Sequence, residues 1–262
     1  MALATTTIKQ LAERLENAEL NRQPLTKITD DHPQLDWADA YDIQYELRRR
    51  KQARGISIAG LKMGLTSQAK MRQMGVSDPV YGFLTGPGSY ADGAGIDRDA
   101  FIHPRVEAEV AVMTRRELAG PGCHVGQVLT AIEFVTAAVE IIDSRYENFR
   151  FDLKSVIADN TSAAGFVCGS VVRKVRELDL PTLGVVLEKN GEIVETGAGA
   201  AVLGHPATSV AMLANMLATR GEVIPAGAFI MTGGITAAVA VARGDAINVR
   251  FQDLGKVSFR MI

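Results

Sequence analysis

The stretch that decides the fold runs from residue 105 to residue 112 and reads Arg-Val-Glu-Ala-Glu-Val-Ala-Val. Its alternation of polar and apolar residues is typical of a β-strand, in which successive side chains point to opposite faces. Glu107 and Glu109 therefore share one face. Two carboxylates on one face of an apolar strand normally need a cation, and Mg²⁺ prefers oxygen ligands of this kind. A solvated edge strand is the alternative interpretation of the same pattern.

A third carboxylate is predicted to join this pair. Glu140 interrupts an apolar run between residues 136 and 145 that predicts a central strand, and a buried acid needs a partner or a proton. Asp143 is the second candidate. A salt bridge from Glu140 to Arg145, or a helix cap, explains the same acid without a metal. The four histidines lie in separate segments without zinc-site spacing, so oxygen ligands favour Mg²⁺ or Mn²⁺.

The rest of the chain predicts many strands and few helices, which favours an α+β fold over a doubly wound parallel sheet. Helices are predicted at residues 8–20, 37–51, 67–74, from 126 onward and at 206–221. Strands are predicted at residues 57–66, 106–113, 133–142, 164–168, 185–189, 192–197, 246–251 and 256–261, with a buried segment at 228–232.

Further polar groups in apolar or glycine-rich surroundings are candidates for binding a substrate. Lys62 lies within an apolar, glycine-rich strand, where a lysine either holds a substrate carboxylate or enolate or reaches solvent past its neighbours. The segments 159–162 and 232–236 both offer hydroxyls and backbone amides that can bind a small anion. Each of these two segments is equally well explained as a turn.

Composition excludes several classes of partner. The 262 residues carry 28 Lys and Arg against 30 Asp and Glu, so there is no basic field for nucleic acid. Apolar stretches such as 237–242 fall short of the roughly 18 residues that cross a bilayer, and no secretory signal is recognised. Cys123 and Cys168 are too few for a disulfide framework, which favours reduced thiols in the cytoplasm. Nucleotide-binding and serine-hydrolase motifs are absent from the sequence.

The sequence resembles the hydratase/decarboxylase family of meta-cleavage pathways, within the fumarylacetoacetate hydrolase superfamily. The resemblance covers nearly the whole chain in order. It is carried by residues 60–67 (GLKMGLTS), 74–82 (MGVSDPVYG), 103–109 (HPRVEAE), 139–145 (VEIIDSR) and 157–160 (IADN).

The resemblance implies a fold and a metal site. We expect a distorted β-roll catalytic domain at residues 96–262 and an N-terminal helical α/β cap at residues 1–95, which contributes Lys62 as the catalytic residue. The three carboxylate ligands of the family fall on Glu107, Glu109 and Glu140, with Mg²⁺ or Mn²⁺ as cofactor. The expected substrate-binding residues are Ser67, Val80, Tyr81, Ser162, Thr232 and Gly233.

The resemblance also implies a reaction. Hydratases of the family carry an acid at the position of Val80, which is proposed to assist proton transfer or water activation, so valine favours the decarboxylases. We expect decarboxylation of 2-oxohex-3-enedioate, a small 2-oxo dicarboxylate, to 2-hydroxypenta-2,4-dienoate and CO₂. Hydration of that dienoate is the alternative, because Asp78 lies only two residues away. A non-catalytic 2-oxo acid binder is a further alternative. A complex with the pathway's hydratase and a homo-oligomer are the expected assemblies.

Overall fold

The computed structural model describes residues 3–67, 71 and 78–262. Its helices are α1 (Thr5–Asn21), α2 (Ile28–Asp31), α3 (Trp37–Ala53), α4 (Val125–Ala131), α5 (Leu153–Ala158) and α6 (Pro206–Ala218). Its strands are β1 (Ile58–Gly64), β2 (Val80–Thr85), β3 (Ser89–Tyr90), β4 (Gly95–Ile96), β5 (Arg105–Thr114), β6 (Ile132–Ile142), β7 (Ala163–Arg173), β8 (Gly184–Lys189), β9 (Glu192–Ala198), β10 (Phe229–Met231), β11 (Val239–Ala240), β12 (Ala246–Phe251) and β13 (Gly255–Met261).

The N-terminal helices α1 and α3 pack against each other through their apolar sides, which include the buried Leu11 and Leu47. Helix α3 begins with a capping box. The Asp36 side chain accepts a hydrogen bond from the backbone N–H of Asp39 at 2.9 Å, and the Asp39 side chain accepts one from the backbone N–H of Asp36. The helix predicted at residues 67–74 lies outside the described residues, apart from its positions 67 and 71.

Two curled sheets form the centre of the molecule. The eight-stranded sheet has the order β2-β1-β10-β5-β6-β7-β3, with β11 paired to β5. The five-stranded sheet has the order β4-β13-β12-β8-β9. Strand β13 packs against β6 and β7, and β2 also contacts β7, although the two are far apart in the strand order. The larger sheet therefore curls until its first strands approach its last ones, which confirms the predicted α+β fold with a distorted roll.

The central pairing of β5 with β6 is antiparallel and places Glu107 directly opposite Glu140. Strand β1 pairs in parallel with β10, which in turn pairs with β5. The strands of the predicted N-terminal cap are thus hydrogen-bonded into the sheet that carries the acidic residues. The division of the chain at residue 95 stays a prediction.

Several predicted elements differ in extent from the observed ones. Strand β7 continues to Arg173, five residues beyond the predicted end at residue 168, because its outer part still pairs with β6 across from Val135 and Thr136. Strand β1 is shorter than predicted and ends at Gly64. Helix α6 begins at Pro206 as expected, at a position where proline's missing N–H costs nothing.

One helical segment, Gly199–Ala218, is long and apolar enough by composition to cross a membrane. Half of its apolar window is buried inside the protein. Within this segment α6 packs against α4 and β1, and its buried residues include Val210, Leu213 and Leu217. These contacts are those of a core helix.

Candidate active site

Three buried carboxylates meet at the centre of the larger sheet. Glu107 and Glu109 lie two residues apart on β5, so both side chains point to the same face. The antiparallel register brings Glu140 of β6 opposite Glu107. One oxygen of each carboxylate lies within 4.8 Å of the others. This spacing suits ligands that converge on a single ion.

Burial of these acids is costly without a cation. Glu109 and Glu140 are both fully buried. Burial raises the pKa of Glu109 well above its usual range, and the nearby Glu140 carboxylate raises it further. Burial also raises the pKa of Glu140, although the Lys62 ammonium opposes the shift. Acids in this environment are stabilised in their charged form by a bound cation.

The oxygens of the cluster fit a hard divalent ion. Oε1 of Glu109 and Oε2 of Glu140 are buried and accept no hydrogen bond from any residue that the structure describes. The other oxygen of Glu109 accepts a hydrogen bond from the backbone N–H of Gly233 at 2.7 Å, which fixes the carboxylate's orientation. Mg²⁺ binds carboxylate oxygens and keeps further positions for water or substrate. The donor set therefore fits Mg²⁺.

The glycine break after β10 makes room for this arrangement. A Cβ atom at Gly234 would come within 2.7 Å of Oε2 of Glu107, and one at Gly233 would collide with the side chain of Thr66. Gly233 also has a φ of 110°, which favours glycine. The segment from 233 to 234 therefore shapes the carboxylate cluster, in addition to donating to Glu109.

Lys62 of β1 lies against the cluster and is nearly inaccessible to solvent. Its Nζ is 2.8 Å from Oε1 of Glu140 and donates a hydrogen bond to the carbonyl oxygen of Thr161 at 3.2 Å. Burial by itself would lower the pKa of Lys62, but the carboxylates of Glu140 and Glu109 outweigh it and raise the pKa. The lysine is therefore a charged group held inside the site. The alternative that Lys62 reaches solvent is wrong.

Arg145, considered as a salt-bridge partner of Glu140, and Asp143, the second candidate for the third carboxylate, both make contacts elsewhere. Arg145 forms a buried ion pair with Asp159 and does not contact Glu140. Asp143 accepts hydrogen bonds from the backbone N–H groups of Ile102 and His103, both at 2.7 Å. Asp143 is thus held by a loop outside the cluster, and the salt bridge from Glu140 to Arg145 is not formed.

A cavity of about 590 Å³ opens beside the Glu107 carboxylate of this cluster. Two of the predicted substrate-binding residues, Val80 and Ser162, line it together with Lys62 and Glu107. The remaining lining residues are mostly apolar: Gly64, Leu65, Arg105, Ile142, Phe149, Phe151, Val156, Thr161, Ala237 and Ala238. A small acid can therefore bind with one end at the metal cluster and its carbon chain against apolar walls.

The turn from residue 160 to residue 162 has an unusual backbone that sequence reasoning did not anticipate. Asn160, Thr161 and Ser162 all have φ between 50° and 59°, a region that costs energy for residues other than glycine. The hydroxyls of Thr161 and Ser162 are buried without a hydrogen-bond partner among the described residues. The side chain of Asn160 bonds both the N–H and the carbonyl of Phe83, at 2.8 and 2.9 Å. Asn160 thereby holds the strained turn against β2.

Comparison with known proteins identifies the family. Residues 62–262 match the model of the fumarylacetoacetate (FAA) hydrolase C-terminal family. The chain belongs to the fumarylacetoacetate hydrolase family. It is 63% identical over 252 residues to a 4-oxalocrotonate decarboxylase of Pseudomonas sp. (strain CF600), covering 96% of each chain. It is 37% identical over 258 residues to a 2-oxo-hept-4-ene-1,7-dioate hydratase of Escherichia coli, covering 96% of this chain and 97% of the hydratase.

One solved structure is nearly superimposable on this chain. It is the 4-oxalocrotonate decarboxylase from Pseudomonas putida G7 complexed with magnesium and adipate, which is 60% identical to this chain, with a TM-score of 0.98. The match covers 100% of this chain and 99% of that one. The resemblance inferred from the sequence motifs is confirmed.

Other predicted substrate-binding residues of this fumarylacetoacetate hydrolase family member are not on the cavity wall. The ring of Tyr81 stacks on Tyr41 with centroids 4.5 Å apart, and its hydroxyl lies 3.3 Å from that of Tyr45. The hydroxyl of Thr232 donates to the carbonyl of Val110 at 2.8 Å. The backbone N–H of Gly233 donates a hydrogen bond to the Glu109 carboxylate instead. Substrate roles for Tyr81, Thr232, Gly233 and Ser67 stay predictions.

Arg105 is a cavity-lining residue that the sequence reasoning passed over. Its guanidinium lies 4.2 Å from the centroid of the Phe149 ring. A signal was present, because Arg105 precedes Glu107 by two residues in the same strand and period two places both on one face.

Proposed function

We propose that this chain is a Mg²⁺-dependent decarboxylase, a carboxy-lyase. It converts 2-oxohex-3-enedioate, also called 4-oxalocrotonate, to 2-hydroxypenta-2,4-dienoate and CO₂ in the meta-cleavage degradation of aromatic compounds. The observation that carries this conclusion is the 63% identity over nearly the full chain to a 4-oxalocrotonate decarboxylase. Three relatives named as hydratases are 36% to 37% identical to this chain. Glu107, Glu109 and Glu140 are the proposed metal ligands.

The chemistry follows from the structure of the substrate. The bond between C5 and C6 breaks, and its electron pair moves through C4 and C3 to the oxygen on C2 as CO₂ leaves. Bound by the three carboxylates, Mg²⁺ would supply a Lewis acid for the 2-oxo acid end of the substrate. Glu107, Glu109 and Glu140 would hold the ion, and through it the 2-oxo acid end of the substrate, at the centre of the sheet.

Lys62 is the proposed catalytic residue. Its ammonium is buried, charged and held by Glu140 and by the carbonyl of Thr161, so it needs little reorganisation during the reaction. We propose that it stabilises the negative charge that develops on the C2 oxygen and supplies a proton to that oxygen. A fixed positive charge in a site without water stabilises such an oxyanion far better than the same charge does in water.

Val80 supports decarboxylation because of what it excludes. Val80 is buried, and it lines the cavity together with Ile142, Phe151 and Val156. An apolar wall keeps water and further negative charge away from the C5–C6 bond that breaks. A valine side chain also cannot activate the water that hydration requires. Valine at position 80 therefore favours decarboxylation and disfavours hydration.

Hydration of 2-hydroxypenta-2,4-dienoate is the second candidate. The hydratases among the relatives favour it, as does Asp78, which lies two residues from the cavity-lining Val80. Asp78 is exposed to solvent and is not among the described residues that line the cavity. Decarboxylation is therefore the function that the geometry supports better.

One incubation distinguishes the two reactions. The protein is supplied with 2-oxohex-3-enedioate and Mg²⁺, and CO₂ and the organic product are both identified. We expect stoichiometric CO₂ and 2-hydroxypenta-2,4-dienoate, which accumulates. Rapid loss of the dienoate absorbance with formation of 4-hydroxy-2-oxopentanoate would identify a hydratase instead. The absence of both products would contradict the assignment to this substrate.

We also propose how the enzyme is organised. The product of decarboxylation is the substrate of a hydratase, and an association with that hydratase would pass the dienoate on directly. A homo-oligomer, a cytoplasmic location and a cap formed by residues 1–95 remain parts of this proposal. Size-exclusion chromatography of the protein alone and mixed with the hydratase tests both assemblies.

A further inference from the structure

Arg105 stands on the same strand face as two of the proposed metal ligands. It is the first residue of β5, and Glu107 and Glu109 follow at intervals of two residues. The rise of a strand places the Cα atoms of Arg105 and Glu107 about 7 Å apart. Both side chains line the same cavity. The cavity therefore has an acidic cluster and, one strand repeat away, a cationic side chain.

The Arg105 guanidinium has no carboxylate partner within the part of the chain that the structure describes. Its contact is the ring of Phe149, 4.2 Å away. Phe149 has a φ of 56°, which is rare for a bulky residue, and its ring also packs on His103 with centroids 4.7 Å apart. Contact with a ring face does not use the guanidinium N–H groups as hydrogen-bond donors, so they stay available for an anion. Phe149 therefore orients a cation without neutralising it.

We infer that Arg105 binds the distal carboxylate of the substrate and selects 2-oxo dicarboxylic acids over 2-oxo monocarboxylic acids. The inference rests on the proposed function, because it assigns the C6 end of the same substrate. An extended six-carbon chain separates its terminal carbons by about 6 Å, from C–C bonds of about 1.5 Å. That length is close to the strand repeat between Glu107 and Arg105.

The role of Arg105 is in binding and not in the bond-breaking step. Its charge attracts the C6 carboxylate in the ground state and loses that attraction as neutral CO₂ forms. An interaction that is weaker in the transition state than in the ground state lowers KM without raising kcat. The Arg105→Gln variant should therefore have a higher KM and an unreduced kcat.

The test compares two ligands that differ only at the distal end. These are 2-oxohexanedioate and 2-oxohexanoate, which share the 2-oxo acid end and are not turned over by loss of CO₂ from a vinylogous position. Calorimetry with saturating Mg²⁺ measures both affinities in the wild type, in Arg105→Gln, in Arg105→Lys and in Arg150→Gln. Arg150 is the matched control, because it is exposed beside Phe149 and does not line the cavity.

We expect the wild type to prefer the dicarboxylate by about 10-fold or more, the size of a charge-assisted hydrogen bond. In Arg105→Gln this preference should disappear because the affinity for the dicarboxylate falls while the affinity for the monocarboxylate stays unchanged. Arg105→Lys should keep part of the preference. Arg150→Gln should match the wild type. Equal weakening of both ligands, or no change in either, would overturn the inference.

The two proposals fail in different ways. Unchanged ligand affinities in Arg105→Gln, alongside normal CO₂ release by the wild type, would remove the role of Arg105 and leave the decarboxylase intact. If the wild type releases no CO₂ but prefers the dicarboxylate, and Arg105→Gln abolishes that preference, then the proposed reaction is wrong. The binding role of Arg105 would remain. If Arg105→Gln does not fold, Arg105→Lys must still retain a preference that is smaller than that of the wild type.

Discussion

Glu107 and Glu140 face each other directly across β5 and β6, and with Glu109 they bring three carboxylates within reach of one ion. Side chains at directly opposed strand positions are close neighbours, and like charges there destabilise a sheet. The pair is therefore compatible with a stable fold only if a cation or a proton balances it. Lys62 supplies part of this balance through Glu140. The proposed Mg²⁺ supplies the remainder.

Removal of one ligand should abolish metal binding. In Glu107→Gln and Glu140→Gln we expect Mg²⁺ affinity to fall beyond detection by calorimetry and turnover to fall by at least about 100-fold, since even outer-shell changes cost 10- to 100-fold. Glu133→Gln is the matched control, because Glu133 is an exposed acid on the same strand, β6. Wild-type Mg²⁺ affinity in either ligand variant would contradict the assignment.

Lys62→Met should separate catalysis from folding. We expect kcat/KM to fall by about 100-fold or more, the effect of losing a charge-stabilising or proton-donating group. The melting temperature of the Mg²⁺-loaded variant should stay within a few degrees of the wild type, because the metal then balances Glu140. Normal kinetics in this variant would leave Lys62 with a purely structural role.

Val80→Asp should lose decarboxylation, because a charge beside the C6 carboxylate repels the substrate and retains water where charge must disappear. We expect the rate of CO₂ release to fall by about 10-fold or more, which corresponds to about 1.4 kcal/mol or more of activation free energy. Val80→Ile keeps the wall apolar and serves as the control. Equal CO₂ release by Val80→Asp and Val80→Ile would show that polarity at this position does not matter.

Stabilisation by Mg²⁺ should increase with pH. The pKa values of Glu109 and Glu140 are raised in the metal-free fold, so the folded state binds more protons than the unfolded state, and its stability falls as pH rises above about 4.3. Mg²⁺ binds the deprotonated carboxylates and removes this loss. The melting temperature with and without saturating Mg²⁺ should differ more at pH 8 than at pH 5.5. A larger shift at the lower pH would contradict this account.

Gly82→Ala should disturb the left-handed turn that lines the cavity. A Cβ atom at Gly82 would lie 2.6 Å from Oγ1 of Thr161 and 2.7 Å from Oδ1 of Asn160. We expect a loss of activity together with a loss of stability of about 1 to 3 kcal/mol, the cost of overpacking, measured by denaturant unfolding. Gly184→Ala is the control, because its Cβ would make an ordinary contact with Gln252 at 3.5 Å. Wild-type behaviour of Gly82→Ala would show that the turn can move freely.

Local pattern predicted much of the site and the fold. The two-residue period of the strand beginning at Arg105 placed Glu107 and Glu109 on one face, and the acid inside an apolar run indicated Glu140. The α+β class followed from the order of strands and helices. The end of β7 at Arg173 was missed because its outer residues alternate irregularly and are stabilised by pairing with β6. Such pairing is a property of two segments and is invisible in either one alone.

The sequence by itself determined which face each acid of β5 occupies, because the alternation of side chains is built into an extended backbone. It also determined the family, through motifs spread along the chain. Only the tertiary structure decided which residues meet. Lys62 reaches Glu140 because the sheet curls, and Arg145 is unavailable to Glu140 because it is paired with Asp159. The strained turn at Thr161 is held by Asn160 against Phe83, across a sequence separation of 77 residues. Contacts of this kind depend on strand register and sheet curvature, which arise from the packing of the whole chain.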